Sequence, residues 1–336
     1  MKNHNINFCV ILLSIILISG TVVYGQEDVL EPITVIFTQA MDGSRYAVGW
    51  SDWRVEIYET ETQRLVSEVT SPDLSDKGPN PILRFSDLEF SPLGDRLAIS
   101  FSGDHADSLG RIADVDTGEI IHFLNSRAFV NAVTWSPDGR YLAAGNQNSI
   151  VGLSVHYLTI WDTETGMVSQ EHEFGLRNSV YSLDWHPTDP LLLFSIGSRI
   201  FVWNTEVEAQ EYMVSLEGED YFVSTLWSPN GEQFAASSSD SKIRIWEAST
   251  GNLVKSITVT SSHLGSIELL WEHHETFIVG ISYNMIETWN IETEELIYSV
   301  QTQSHIIGTA WTIDNEIVYA IGGENEVEIE VVEVAK

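Results

Sequence analysis

The sequence predicts an all-β fold, a seven-bladed β-propeller of four-stranded antiparallel blades, and three observations predict it. First, aromatic residues fall on two interleaved ladders. One runs Phe90, Trp135, Trp185, Trp227, Trp271 and Trp311, about 44 residues a step. The other runs Trp161, Trp203, Trp246 and Trp289, at spacings of 42, 43 and 43. Second, the first ladder is followed by Ser-Pro-Asp-Gly or a close variant, at Ser91 to Gly94, Ser136 to Gly139, His186 to Asp189 and Ser228 to Gly231. Proline pre-sets φ and Asp/Asn-Gly tolerates positive φ, so these are tight hairpin turns. Third, no stretch sustains a capped helical period. Nine of the 11 tryptophans thus mark a repeat and are read as structural.

In chain order, Lys2 is the only charge in the first 25 residues, and Phe8 to Ile18 is an apolar run of signal-peptide length. Val23 and Gly25 occupy the −3 and −1 positions for a cut before Gln26. Residues 1–25 are therefore expected to be a cleaved signal peptide, with an uncleaved anchor as the lesser alternative, because Phe8 to Tyr24 only reaches the lower limit of a span. Export would make the body secreted, periplasmic or cell-surface. Cys9 lies in this segment, so residues 26–336 hold no cysteine for a disulfide or thiol catalysis.

Residues 26–336 read as one domain of seven units. The first has Ile33 to Phe37, an Asp42-Gly43 turn, Tyr46 to Gly49, Arg54 to Tyr58 and Leu65 to Val69, with Tyr58 in the outer tryptophan's place. In the second, Ala113 takes that place ahead of Asp116-Thr117-Gly118. The third shows the pattern best: Val130 to Trp135, Ser-Pro-Asp-Gly, Tyr141 to Ala144, Leu158 to Asp162, a Glu-Thr-Gly turn and Met167 to Ser169. The fourth to sixth repeat it. The seventh ends at Glu326 to Val331 with little chain left for a fourth strand, and Val29 and Leu30 are candidates to supply it. Five residues before the first-ladder aromatics stand Phe85, Val130, Val180, Phe222, Ser266 and Ile306, read as inward residues of the innermost strands.

These residues resemble the WD-repeat β-propellers over essentially the whole of 26–336. The fifth unit is the nearest match, Ser237-Ser238-Ser239-Asp240-Ser241-Lys242-Ile243-Arg244-Ile245-Trp246-Glu247, where the resemblance makes Asp240 a structural turn residue. Trp161-Asp162 is a literal Trp-Asp, with Trp203-Asn204, Trp246-Glu247 and Trp289-Asn290 as relatives, while the Gly-His signature is weak. The Ser-Pro-Asp-Gly turns also occur in Tol-type and prolyl-oligopeptidase-like propellers. The resemblance implies a non-catalytic interaction platform.

With 49 acidic and 16 basic residues the formal net charge is −33, which disfavours nucleic acid and anionic membranes. No nucleophile motif is complete: Gly152 to His156 and Gly280 to Asn284 lack the final glycine of a nucleophile elbow. His273-His274-Glu275 replaces a surface turn, which favours a solvated turn over a metal site. No Asp-x-Asp-x-Asp-Gly loop occurs, so no cofactor is expected and structural calcium is only the minor alternative. Glu324, Glu326, Glu328 and Glu330 alternate with apolar residues, as in a charged protective edge.

Against the compact units, extra residues occur at Thr70 to Pro81, Ser102 to Gly110 and Asn146 to His156. In the resembled family these loops open on one face. A site for a protein or peptide partner is expected there, from Asp73, Asp76, Lys77, Asp104, His105, Asp107, Asn146, Gln147, Asn148 and His156. The expected function is therefore an exported, monomeric, non-enzymatic binding propeller. The alternative is a propeller-type, lactonase-like metal-dependent hydrolase with acidic residues holding an ion near the central channel.

Overall fold

The computed structural model describes residues 34–70, 84–102, 110–124, 129–150, 153–175, 180–218, 220–259, 267–311, 316–322 and 327–333. They contain no helix and form seven antiparallel sheets in chain order, over 34–69, 84–124, 129–174, 180–215, 222–258, 268–301 and 306–333. Six sheets have four strands and the seventh has three. Val29 and Leu30, the candidates for its outer strand, lie outside the described residues.

One cross-strand row recurs from blade 2 to blade 6. The first-ladder aromatic pairs with a second-strand residue, which pairs on its other side with the outer-ladder residue: Trp135, Leu142 and Trp161 in blade 3; Trp227, Phe234 and Trp246 in blade 5. The same row holds Tyr46 opposite Tyr58 in blade 1 and Leu97 opposite Ala113 in blade 2. The two ladders are therefore two ends of one row. At the outer end the fourth strand shifts register at the tryptophan in blades 3 to 6, and at its substitutes in blades 1 and 2. Such bulges add local twist.

The core is divided among the blade interfaces. Seven apolar clusters each join one sheet to the next, and the last packs Phe37, Tyr46 and Val48 of blade 1 against Val318 and Ala320 of blade 7, closing the ring. Trp161 and Trp289 are among the largest fully buried side chains, and burying a large apolar side chain contributes roughly 1.5–3 kcal/mol. The indole N–H groups of Trp161 and Trp203 have no hydrogen-bond partner, so these residues act as apolar wedges. Trp311 ends the inner strand Ile306–Trp311; its side chain lies outside the described residues.

Three of the inner tryptophans do bond across the interfaces. The indole of each donates to the carbonyl just before the preceding blade's aromatic: Trp135 to Glu89 at 3.0 Å, Trp185 to Thr134 at 3.2 Å and Trp227 to Asp184 at 3.2 Å. The turns are equally regular. Gly139 N–H donates to Ser136 O at 2.8 Å, the Ser136 hydroxyl bonds Asp138, and Gly139 sits at φ +69°. Asp240 closes the turn expected of it, accepting from Ser238 and from Arg244 at 2.5 and 3.1 Å.

One expectation is corrected. Three of the residues five before the inner aromatic do not face the channel: Val130, Val180 and Phe222 are fully buried against the preceding blade, whereas Ile306 lines the channel. A register shift just after this position, seen in blades 2, 3, 4, 5 and 7, inserts a residue and reverses the face of what precedes it.

Candidate functional site

The inner strands enclose a channel of about 1260 Å³. The residues three and one before the aromatic position face the channel and the next blade. They are Asp87 and Glu89 in blade 2, Ser182 and Asp184 in blade 4, and Glu268 and Leu270 in blade 6. The inner strands have no partner on their channel edge, and these side chains supply one. Asp87 accepts from Val133 N–H at 3.0 Å, Asp184 from Trp227 N–H at 2.6 Å, Ser182 from Thr225 N–H at 2.9 Å and Ser224 from Leu269 N–H at 3.3 Å. Channel polarity is thus partly a set of staples between blades.

Four acids, Asp87, Glu89, Asp184 and Glu268, line the channel, and among the described residues no Lys or Arg does. Burial pushes Asp87 up to about 7, with Glu268's charge adding to it and the Val133 N–H opposing it. Burial likewise raises Asp184 to about 7 against the Trp227 and Trp185 N–H groups. Glu89 is held well above the ordinary range, by burial first and then by Asp87 and Asp184. Glu268 is raised by burial although its side chain is solvent-accessible, because that access is only to a channel ringed by protein. At one mouth stand Pro92, Pro137, Pro187, Pro229, Met41 and His273.

Of the three insertions, nearly all of the first two lies outside the described residues, and with them Asp73, Asp76, Lys77, Asp104, His105 and Asp107. The third is not an irregular loop. Strands Tyr141–Ile150 and Leu153–Asp162 pair without interruption out to Ile150 opposite Leu153, carrying Gln147 opposite His156 and Asn148 opposite Val155. The second-to-third-strand hairpins of blades 4 and 6 end earlier, at Ile196 opposite Arg199 and Ser282 opposite Met285. Asn146 is off the surface: it is fully buried and donates to Thr159 Oγ1 at 2.7 Å. The side chains of Gln147, Asn148 and His156 are not among those described.

His273-His274-Glu275 is a turn. Glu275 sits at φ +62° and takes Asn230 N–H and Nδ2 on its two oxygens at 2.7 Å each, tying blade 6 to blade 5. Among the described residues no three His, Cys, Asp or Glu side chains are grouped to hold a metal ion. The sequence reading placed acidic residues near the central channel only in its alternative and named none of them; their only signal was their placement one and three residues before an inner aromatic.

Blade repeats, cross-strand rows and ring closure define the class: a repeat β-propeller. Residues 118–152 and 210–247 match the model of the WD40 family, WD domain, G-beta repeat. Among curated proteins the chain is similar to cell division cycle 20.1, cofactor of APC complex, of Arabidopsis thaliana, at 24% identity over 65% of this chain and 48% of that one. The anaphase-promoting complex subunit cdc20 of Dictyostelium discoideum is 26% identical over 58% and 38%. Actin-interacting protein 1 of Drosophila melanogaster is 22% identical over 80% and 44%. The matches thus span less than half the length of these relatives. The chain is a seven-bladed β-propeller, and two stretches of it match the WD-repeat model.

Proposed function

We propose that this propeller is an exported, non-catalytic platform that binds a protein partner on the face bearing the second-to-third-strand hairpins, over blades 1 to 3. The observation that carries the reading is the blade 3 hairpin, which continues the sheet to Ile150 and Leu153 where the hairpins of blades 4 and 6 have already turned. A paired hairpin is a rigid way to project residues from a ring, and repeat folds place recognition in such insertions. Asp73, Asp76, Lys77, Asp104, His105, Asp107, Gln147, Asn148 and His156 are the residues assigned to this face. The names of the relatives, a cofactor of a complex and an actin-interacting protein, support partner binding over catalysis. Export rests on the apolar run Phe8 to Ile18.

The test is cross-linking in the cell envelope with the full chain and with a variant in which residues 147–156 are replaced by a two-residue turn. One partner captured by the full chain and lost from the variant, at unchanged melting temperature, supports the reading. An identical set of captured proteins from both would remove it.

A further inference from the structure

We propose that the central channel is a binding site for a primary alkylammonium group, either a free di- or polyamine or the side chain of a lysine presented by another protein. The site is separate from the hairpin face and does not depend on it.

Four observations converge. The charge is one-sided: Asp87, Glu89, Asp184 and Glu268 line the channel, and no Lys or Arg among the described residues lines it with them. The acceptors are not used up. Glu89 Oε2 is buried with no hydrogen-bond partner, and Ser282, 5% exposed on the same channel wall, has an unpartnered Oγ. Thr309 Oγ1, also on the wall, is unpartnered too. A buried acceptor left without a donor is costly, and an ammonium brings three donors and no acceptor. The acids are also dispersed. Asp87 and Glu89 lie on blade 2, Asp184 on blade 4 and Glu268 on blade 6, with no trio among the described residues close enough to share a metal ion. That spacing suits one or more ammonium groups along a channel better than a single bare cation.

The fourth observation is the collar. Four prolines and the exposed Met41 surround the mouth beside the Ser-Pro-Asp-Gly turns, above the Glu89 and Asp184 level. An apolar collar over an acidic interior matches a methylene stem that ends in a charged head. Protonation fits as well: burial holds these carboxyls neutral well above their ordinary range, so an arriving ammonium takes the place of protons. Binding at neutral pH should therefore release protons to buffer.

The test is calorimetry on the purified chain with cadaverine, with Nα-acetyl-lysine methylamide, with 1-pentanol as the neutral isostere, and with calcium. Cadaverine or the lysine derivative should bind with heats that depend on buffer ionisation, and pentanol should not. Preference for cadaverine points to a free amine, and preference for the lysine derivative to a protein ligand. The double variant Glu89→Gln, Asp184→Asn keeps carbonyl oxygens for the neighbouring N–H groups and should lose at least about tenfold in affinity. Glu206→Gln, on the exposed surface, should lose none. Equal binding of pentanol, binding of calcium alone, no binding of either amine, or full affinity in the double variant would each overturn the proposal.

Discussion

Gly231 and His186 show how one turn is built from two blades. Gly231 sits at φ +75°, where an L side chain is strained, and a Cβ there would overlap the His186 ring. That ring replaces the serine of the other turns. Its Nδ1 accepts from Thr188 and Asp189 N–H at 3.2 and 2.9 Å, which leaves the proton on Nε2 to donate to Gly231 O at 3.1 Å. Gly231→Ala is expected to cost about 2 kcal/mol or more, read as a lower urea midpoint at unchanged slope. His186→Ser should retain more stability than His186→Ala, because a hydroxyl at this position already organises the Ser136 and Ser228 turns. Equal midpoints for the two variants would show that the ring contributes only its contact with Trp227. The sequence marks His186 only as a departure from serine. That an imidazole can serve the same turn, and reach the next blade as well, depends on a neighbour 45 residues away.

At the scale of the strand, the inner tryptophans whose side chains are described divide into three that bond across an interface and one that does not. Trp227 Nε1 donates to Asp184 O, whereas Trp271 Nε1 has no partner. Trp227→Phe should therefore cost about 1 kcal/mol more than Trp271→Phe, measured as the difference in unfolding free energy; the same cost for both would mean that the cross-blade bond adds nothing. Both ladders were legible in the sequence because one residue opposite Leu142 or Phe234 recurs in each unit, and periodicity survives divergence. The facing of the inner strand was not. A register shift between Val130 and Ala132, or between Phe222 and Ser224, reverses one half of the strand against the other, and no residue type announces it. The channel acids were hidden for the same reason, since Asp87, Glu89, Asp184 and Glu268 occupy positions held elsewhere by Ala132, Thr134, Ser182 and Leu270. Asn146 was placed on a loop because it opens a stretch longer than in the compact units, yet its side chain is spent on Thr159 inside the blade.

For the ring as a whole, the channel carboxyls make stability depend on pH in a direction unusual for aspartates. Asp87 and Asp184 titrate near 7 in the folded chain, against 3.8 for an unperturbed aspartate. Below pH 4 both states bind the proton and these groups contribute fully. As pH rises toward 7 the unfolded chain ionises while the folded ring must keep the proton or bury a charge, so stability falls across that window. Surface aspartates act oppositely. Asp42, held low by the Ser44 hydroxyl, and Asp162, held low by Thr165, withdraw their support as pH drops below about 4. Stability should therefore peak near pH 4 to 5 and decline by on the order of 1–2 kcal/mol toward pH 8, after allowance for screening in a wet channel. Melting temperatures across that range check the sign, and a flat or rising profile between pH 5 and 8 would contradict it. Asp184→Asn isolates the cause. Its amide oxygen still accepts from Trp227 N–H but carries no charge, so the variant should melt higher than the parent at pH 8 and lose that advantage at pH 4.5.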